Sequence, residues 1–442
     1  MKNIYRLRYL KLNEKEWRTF GLHSLYFSIE GIVLGVLALN EYVFIRSMDG
    51  SNYQLAFLFQ FSMIVFTFLF FFNALRKRIK NKRKMLRITA LVTRLPLALI
   101  FFFPKNQAEM MEHPEYHYIF LGLFLIYYFG NIILFPAVNV LLKTNYRHHN
   151  FGKLYSYATS LNKVIMLATI FVYGILLDRD NFVFVYVFPL VAFLSLISVI
   201  FLSRIDYSNV QQSVKGKNLW DSVRMSVAGM NRILILNKPY RHFEIGFMLY
   251  GFAFMVSHTI VNIFFKEALE LNYSSVAFYK NSYNILAIVL LPFFGKLLGN
   301  IDPRKFAAFT FGSLTLYIFF LLMTEYIPVF IDWWEIRFYA TLVFAFIFYG
   351  IFAATMPLLW NIGSAYFCKP EEADDYQSLH LSLTGLRAVF APLIGVFFYE
   401  LIGFTGTFSL TIASLFAAMW LMRWSYRRNA LTSPKIQPVV GN

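Results

Sequence analysis

Four basic side chains stand inside long apolar stretches of this 442-residue sequence: Arg94, Lys163, Lys280 and Arg387. An ionisable group in such surroundings is costly, and it is held there by a partner, a wet cavity or a ligand. Guanidinium groups grip carboxylates and phosphates through paired hydrogen bonds, and a lysine ammonium acts as a point charge. The four residues therefore point to an anion, or to a solute bearing a carboxylate or phosphate. For Lys163 and Arg387 the competing reading is internal pairing with a carboxylate such as Glu30. For Lys280 it is a side chain reaching toward the membrane edge.

Acidic residues in apolar stretches are fewer: Glu30, Glu41, Glu244 and Glu400. Glu30 is the candidate proton carrier. A low dielectric disfavours a charged carboxylate and a nearby cation favours it, so a cycle can alternate the two states. The alternative is a Glu30 that permanently neutralises an Arg or Lys. His258 and Asn262 lie one helical turn apart, and a histidine titrates near neutrality. A lone histidine on an apolar helix is more often a packing residue. Lys280 lies one turn from Asn284, and Asn131, Asn139, Asn162, Trp360 and Asn361 complete the polar set.

No motif for enzymatic chemistry accompanies these residues. The sequence has no Gly-rich phosphate loop, no His-Glu-x-x-His and no Gly-x-Ser-x-Gly, so neither catalysis nor direct ATP use is expected. Its single cysteine, Cys368, excludes a disulfide framework and a multi-cysteine metal site. His23 and His148-His149 lack the clustered partners of a metal centre. Neither a metal nor another cofactor is expected.

The elements that must position the charged set are membrane helices. The chain is 58% hydrophobic and 20% aromatic but only 15% charged, against about 25% charged in a soluble domain. A helix needs about 20 apolar residues to cross the hydrocarbon core. Twelve such stretches are read at 20–44, 54–74, 86–104, 116–142, 153–177, 182–203, 242–265, 275–299, 304–324, 336–366, 377–402 and 404–424. Lys163 and Arg387 each lie ten residues into a stretch, about 15 Å deep and close to the midplane. Pro96, Pro136, Pro189, Pro292, Pro357 and Pro392 are expected kink sites. Trp333 and Trp334 are expected interface anchors.

With the N-terminus inside, 32 of the 41 Lys and Arg residues fall on the inner side, 5 on the outer side and 4 within the stretches. That excess places both termini in the cytoplasm. It also explains the net charge of +17 without nucleic acid as a partner. The first 19 residues are polar and basic rather than a cleavable signal. A multi-pass protein of a bacterial inner membrane is expected, with the lipid bilayer as its surroundings.

Six stretches precede the polar segment 204–241 and six follow it. Pro136-Ala-Val-Asn139 corresponds to Pro357-Leu-Leu-Trp-Asn361, and Lys163 to Arg387, at an offset near 222. The segment itself carries an amphipathic stretch from Trp220 to Leu236, read as a membrane-surface helix. Two parallel six-helix halves around a midplane cavity are a common transporter plan.

The loop Asn73-Ala-Leu-Arg-Lys-Arg-Ile-Lys-Asn-Lys-Arg-Lys84 has a second-half counterpart, Gly295-Lys-Leu-Leu-Gly-Asn-Ile-Asp-Pro-Arg-Lys305. With Phe151-Gly-Lys153, Ser156, Arg387 and Ala391-Pro-Leu-Ile-Gly395, these residues resemble the major facilitator superfamily across about 18–425. The family's usual loop motif is only partly kept. Asn73, Lys77 and Lys80 replace its Gly, Asp and second Gly, while Leu75, Arg78 and Lys82 fit. Leu75, Arg78, Gly295 and Arg304 are the candidate gating positions, but the role of the missing Asp is not carried over.

The resemblance implies an all-α membrane protein of twelve transmembrane helices in two pseudo-symmetric six-helix bundles. The expected divisions are 1–203, a cytoplasmic loop 204–241, 242–425 and a cytoplasmic tail 426–442. It implies secondary transport of a small-molecule substrate by alternating access, with a proton or sodium as coupling ion. The cavity would be formed by crossings one, four, five, seven, eight, ten and eleven, and a monomer is expected. Candidate substrate-binding residues are Arg94, Lys163, Arg387, Lys280, Asn131, Asn284, His258, Asn262, Trp360 and Asn361, with Glu30 for coupling. The rival readings are an exporter of amphipathic compounds, and a membrane sensor or enzyme on the same fold.

Overall fold

Helices dominate the computed structural model, which describes residues 12–68, 81–206, 229, 231–298, 300–368 and 373–430. In the first half, α1 (Glu14–Leu37) and α2 (Asn40–Arg46) form the first crossing, and α3 (Asn52–Ile64) opens the second. The third is α4 (Lys82–Thr93) followed by a 3-10 segment, Leu95–Phe102; the short α5 (Gln107–Glu112) leads to α6 (Glu115–Asn145), α7 (His148–Arg179) and α8 (Phe184–Ser203). In the second half come α9 (Lys238–Glu267), α10 (Tyr273–Leu298), α11 (Pro303–Tyr326), the strands β1 (Phe330–Trp333) and β2 (Ile336–Tyr339), α12 (Ala340–Ile362), α13 (Ala373–Ala388) and α14 (Ala391–Ala430).

Ten stretches among the described residues are long and apolar enough to cross a membrane. One of them, Leu379–Arg428, spans 50 residues and is divided at Gly403, whose φ of 67° is left-handed. Such a φ favours glycine, which has no Cβ to clash. The expected second crossing, 54–74, lies partly outside the described residues. The helices are thus consistent with twelve crossings.

Helix ends follow local chemistry. Asn13 with Glu16, and Ser51 with Gln54, form reciprocal capping boxes at the starts of α1 and α3, each satisfying two amide donors that a helix start leaves open. Proline acts where its ring meets a helix start. The chain leaves α-helix at Arg94 ahead of Pro96, and it breaks between Ala388 and Ala391 ahead of Pro392. Helix is continuous through Pro136, Pro189, Pro292 and Pro357, so four of the six expected kink sites do not interrupt their helices.

One expected boundary is corrected. The tenth stretch does not begin as helix at 336, because β2 pairs antiparallel with β1, Phe330 opposite Tyr339 and Trp333 opposite Ile336. The turn is made by Trp334 and Glu335, both at positive φ. It leaves Trp333 and Trp334 exposed. Of the expected surface helix Trp220–Leu236, residues 231–236 are helical and most of the rest lies outside the described residues.

The chain groups into two compact units, Met1–Gly50 with Phe68–Leu219, and Ser51–Thr67 with Trp220–Asn442. In the first unit α1 packs on α7, and α8 on both α1 and Leu95–Phe102. The second unit repeats this plan: α9 packs on α14, and α11 on α14.

Small residues permit the close crossing of α1 and α7. A Cβ on Gly31 would stand 2.7 Å from the Asn162 carbonyl oxygen, and one on Gly35 would stand 2.6 Å from the Thr169 Cβ. The Asn162 amide then donates to the Phe27 carbonyl at 2.7 Å. This is the small-x-x-x-small geometry by which membrane helices bring backbones together. At the start of α1, buried Glu16 accepts from the Arg147 guanidinium at 2.7 Å and from the Asn150 amide at 3.1 Å, tying α1 to the start of α7. In the second unit, Phe59 of α3 stacks on His258 at 4.2 Å, and the Gln60 amide donates to the Val389 carbonyl.

Candidate functional site

Helix α9 presents Glu244, Phe247, Gly251, Phe254, His258 and Asn262 at helical i, i+3 or i+4 spacing, which aligns them along one face. The C-terminal part of that face borders a cavity of about 50 Å³. A single water needs about 10–15 Å³, so the space takes several waters or the polar end of a larger solute that enters through its open side. Its walls are Phe254, Ser257, His258, Val261, Asn262 and Phe265 from α9, Lys280 and Tyr283 from α10, Tyr317 from α11, and Phe346 and Tyr349 from α12.

Six of these residues are Phe or Tyr, and they brace one another. Tyr283 lies edge-on to Tyr349 at 4.6 Å and stacked on Phe346 at 5.9 Å, and Tyr317 meets Tyr349 at 4.5 Å. Rigid rings offer flat apolar surface at low entropic cost. The polar groups lie among them. Asn262 is buried and donates to the His258 carbonyl at 3.2 Å, and Asn284 donates to the Lys280 carbonyl at 2.7 Å. A cation, an imidazole and an amide beside aromatic faces can hold a ring-bearing solute and pair with an anionic or acceptor group on it.

A second polar cluster lies further along the same face of α9. Arg387, in the last turn of α13, is buried, and its Nη1 donates to the Phe247 carbonyl at 2.6 Å. The guanidinium lies 5.8 Å from the Tyr250 ring centre, and a Cβ on Gly251 would fall inside it. His380, two turns earlier on α13, has Nδ1 at 3.1 Å from both carboxylate oxygens of Glu244, and Trp360 lies edge-on to its ring at 5.1 Å. Tyr250 stacks on Phe311 at 4.7 Å and reaches Phe254 at 6.1 Å. An aromatic path therefore runs from Arg387 to the cavity wall.

The first unit holds its own buried charges. Arg94 closes α4 with its guanidinium 4.1 Å from the Tyr127 ring centre and donates to Asn131 Oδ1 at 3.0 Å. It interacts electrostatically with Tyr127, Glu30 and Tyr26. Glu30 accepts from the Ser198 hydroxyl at 2.5 Å. Lys163 is half-buried on α7 and has no hydrogen-bond or ion-pair partner among the described residues.

The structure thus gathers His258, Asn262 and Lys280 at one cavity, and Arg94, Asn131 and Glu30 in one cluster. Arg387 and Trp360 belong to the Glu244–His380 cluster, and Asn284 lies beside the cavity rather than in its wall. Arg304 is buried and engages Asp302 at 2.8 Å and the Ser425 carbonyl at 3.0 Å. Among the described residues, no atom outside its own helix lies within 4 Å of a Cβ placed on Gly295. Leu75 and Arg78 lie outside the described residues. Asn139 and Asn361 are placed on α6 and α12, but their side chains are outside the description. Sequence reasoning named Glu244 only as an acidic candidate and missed His380. The available signal was the 380, 384, 387 spacing, which puts His380 on one helix face with Arg387.

A family model described as Major Facilitator Superfamily matches residues 19–338. No curated protein matches the chain by sequence. Among solved structures, the nucleoside transporter NupG is similar, with a TM-score of 0.65 and 14% identity over 96% of this chain and 100% of that one. A point mutant of the peptide transporter POT gives 0.66 and 12% over 93% and 96%. The inward-open xylose transporter XylE from E. coli gives 0.62 and 12% over 92% and 95%.

Proposed function

The chain belongs to the Major Facilitator Superfamily, and on that premise we propose that it is a secondary transporter that carries a small, ring-bearing solute with an anionic or strongly accepting group by alternating access. The observation that carries this reading is the convergence of Lys280, His258 and Asn262 with six braced aromatic residues around one cavity. The rings hold the planar or apolar part of the solute, and the polar groups fix its orientation. Nucleosides, peptides and xylose, named for the similar structures, are likewise small polar solutes.

Transport is coupled to protons through Glu30. Its burial, its hydrogen bond from Ser198 and its electrostatic interaction with the buried Arg94 support this reading. The protein works in a bacterial inner membrane with both termini in the cytoplasm. The aromatic share of the cavity also favours a second reading, an exporter of amphipathic compounds.

Flux in proteoliposomes under an imposed pH gradient separates the two. A panel of an aromatic carboxylate, a nucleoside monophosphate, a neutral nucleoside, a pentose and a lipophilic cation is sufficient. Gradient-driven movement of an anionic or ring-bearing polar solute, reduced in Glu30→Gln, supports the first reading. Movement of the lipophilic cation alone supports the second.

A further inference from the structure

The seam between α9 and α13 holds three buried polar atoms without a hydrogen-bond partner among the described residues: His380 Nε2, Thr384 Oγ1 and Arg387 Nε. They stand on one face of α13, at spacings of four and three residues. The facing side of α9 supplies Glu244, Phe247 and Gly251. Glu244 and His380 are both almost fully buried, and one carboxylate faces an imidazole 3.1 Å away and interacts electrostatically with Arg387. Buried polar groups are normally satisfied. Three orphans along one short seam mark an arrangement with a competing alternative.

We propose that Glu244 and His380 form a proton-binding site whose occupancy controls how firmly α13 is held against α9. The proton is shared between Glu244 Oε and His380 Nδ1, with the Tyr240 hydroxyl also beside the carboxylate. Without the extra proton, Glu244 balances Arg387 and accepts a hydrogen bond from neutral His380. With it, either an imidazolium or a neutral carboxyl leaves the cluster one positive charge in excess, with Arg387 buried beside it. Among the described residues, the other titratable groups around the seam are Tyr240, Tyr376, Tyr250 and Cys368, and none of them supplies a compensating anion near neutral pH. The excess charge is relieved by moving α13 away from α9. The chain permits this, because α13 is bounded by the break at Val389–Phe390 ahead of Pro392. Only the placing of this step in a transport cycle rests on the transporter reading.

The single cysteine of the chain reports on the seam. Cys368 is partly exposed and lies just ahead of α13, next to Phe367, whose ring packs on Tyr240 at 5.7 Å and on Phe243 at 4.8 Å. Maleimide labelling of the purified full chain would be followed between about pH 5.5 and pH 8. Each rate is divided by that of the unfolded chain at the same pH, which removes the thiol's own titration. The normalised rate is expected to rise about fivefold on acidification, to stay high at both pH values in Glu244→Gln, and to be flat in His380→Gln. A flat wild-type response, or the wild-type pH dependence surviving in either variant, overturns the proposal. Size-exclusion profiles identify a variant that fails to fold, and the other variant then decides. No substrate is needed, so a failed search for a transported solute leaves this result standing, and a flat labelling profile leaves the transport reading standing.

Discussion

Replacing Gly31 with alanine tests the helix packing on which the first unit depends. The new Cβ would sit 2.7 Å from the Asn162 carbonyl oxygen and 3.2 Å from two carbons of Ile165. An ordinary contact begins near 3.4 Å, so α1 must withdraw from α7 by roughly 0.7 Å. The carbonyl belongs to a helix backbone and cannot rotate aside. Withdrawal also stretches the 2.7 Å hydrogen bond from Asn162 to Phe27.

Overpacking of this kind costs about 1–3 kcal/mol, and the better helix propensity of alanine returns up to about 1 kcal/mol. A net loss of about 1–2 kcal/mol is expected, read as a lower melting temperature of the detergent-purified protein. Gly35→Ala, facing the Thr169 side chain and the Met166 carbonyl, is expected to behave alike. The double variant should cost less than the sum, because one separation of the helices relieves both sites. Gly122→Ala is the control: among the described residues, no atom outside its own helix lies within 4 Å of a Cβ there, so its melting temperature should hold or rise. If Gly31→Ala melts no lower than Gly122→Ala, the close crossing of α1 and α7 is refuted.

Three further outcomes follow from the buried charges. Arg94→Gln removes the guanidinium from the Tyr127 face and from Asn131, and should destabilise by about 2–4 kcal/mol; Arg94→Lys should recover little, because an ammonium lacks the planar stacking surface. Glu16→Gln weakens the contacts from Arg147 and Asn150 that join α1 to α7, for an expected loss of about 2 kcal/mol in a thermal melt. Gly251→Ala should expel the Arg387 guanidinium from the α9–α13 seam and lower stability by about 2–3 kcal/mol, and an unchanged melting temperature would contradict the placement of Arg387.

Much of the fold was legible because lipid imposes a simple rule: apolar runs of sufficient length become helices. The four intramembrane cations were legible for the same reason. Less visible was how charges meet. Glu244 and His380 are 136 residues apart, and only packing of α13 on α9 joins them. The hairpin 330–339 was hidden because its aromatic and β-branched residues merge with the next apolar run. Its turn also uses Trp334 and Glu335 at positive φ in place of the Asn-Gly or Asp-Gly that would announce it. Asn262 and Asn284 read as ligand-binding amides, but each spends its Nδ2 on its own helix backbone, a local competition that polarity alone does not reveal.

The most direct test of the central claim is a thermal-shift titration of purified wild-type protein and Lys280→Gln. The probes are an aromatic carboxylate, a nucleoside monophosphate, a neutral nucleoside, a pentose and a lipophilic cation. A compound that binds the folded form raises the melting temperature by mass action. The expected result is stabilisation by a ring-bearing anion that is lost or strongly weakened in Lys280→Gln. Stabilisation by the lipophilic cation alone, or an anion shift of equal size in both proteins, would contradict the assignment of the aromatic cavity as the solute site.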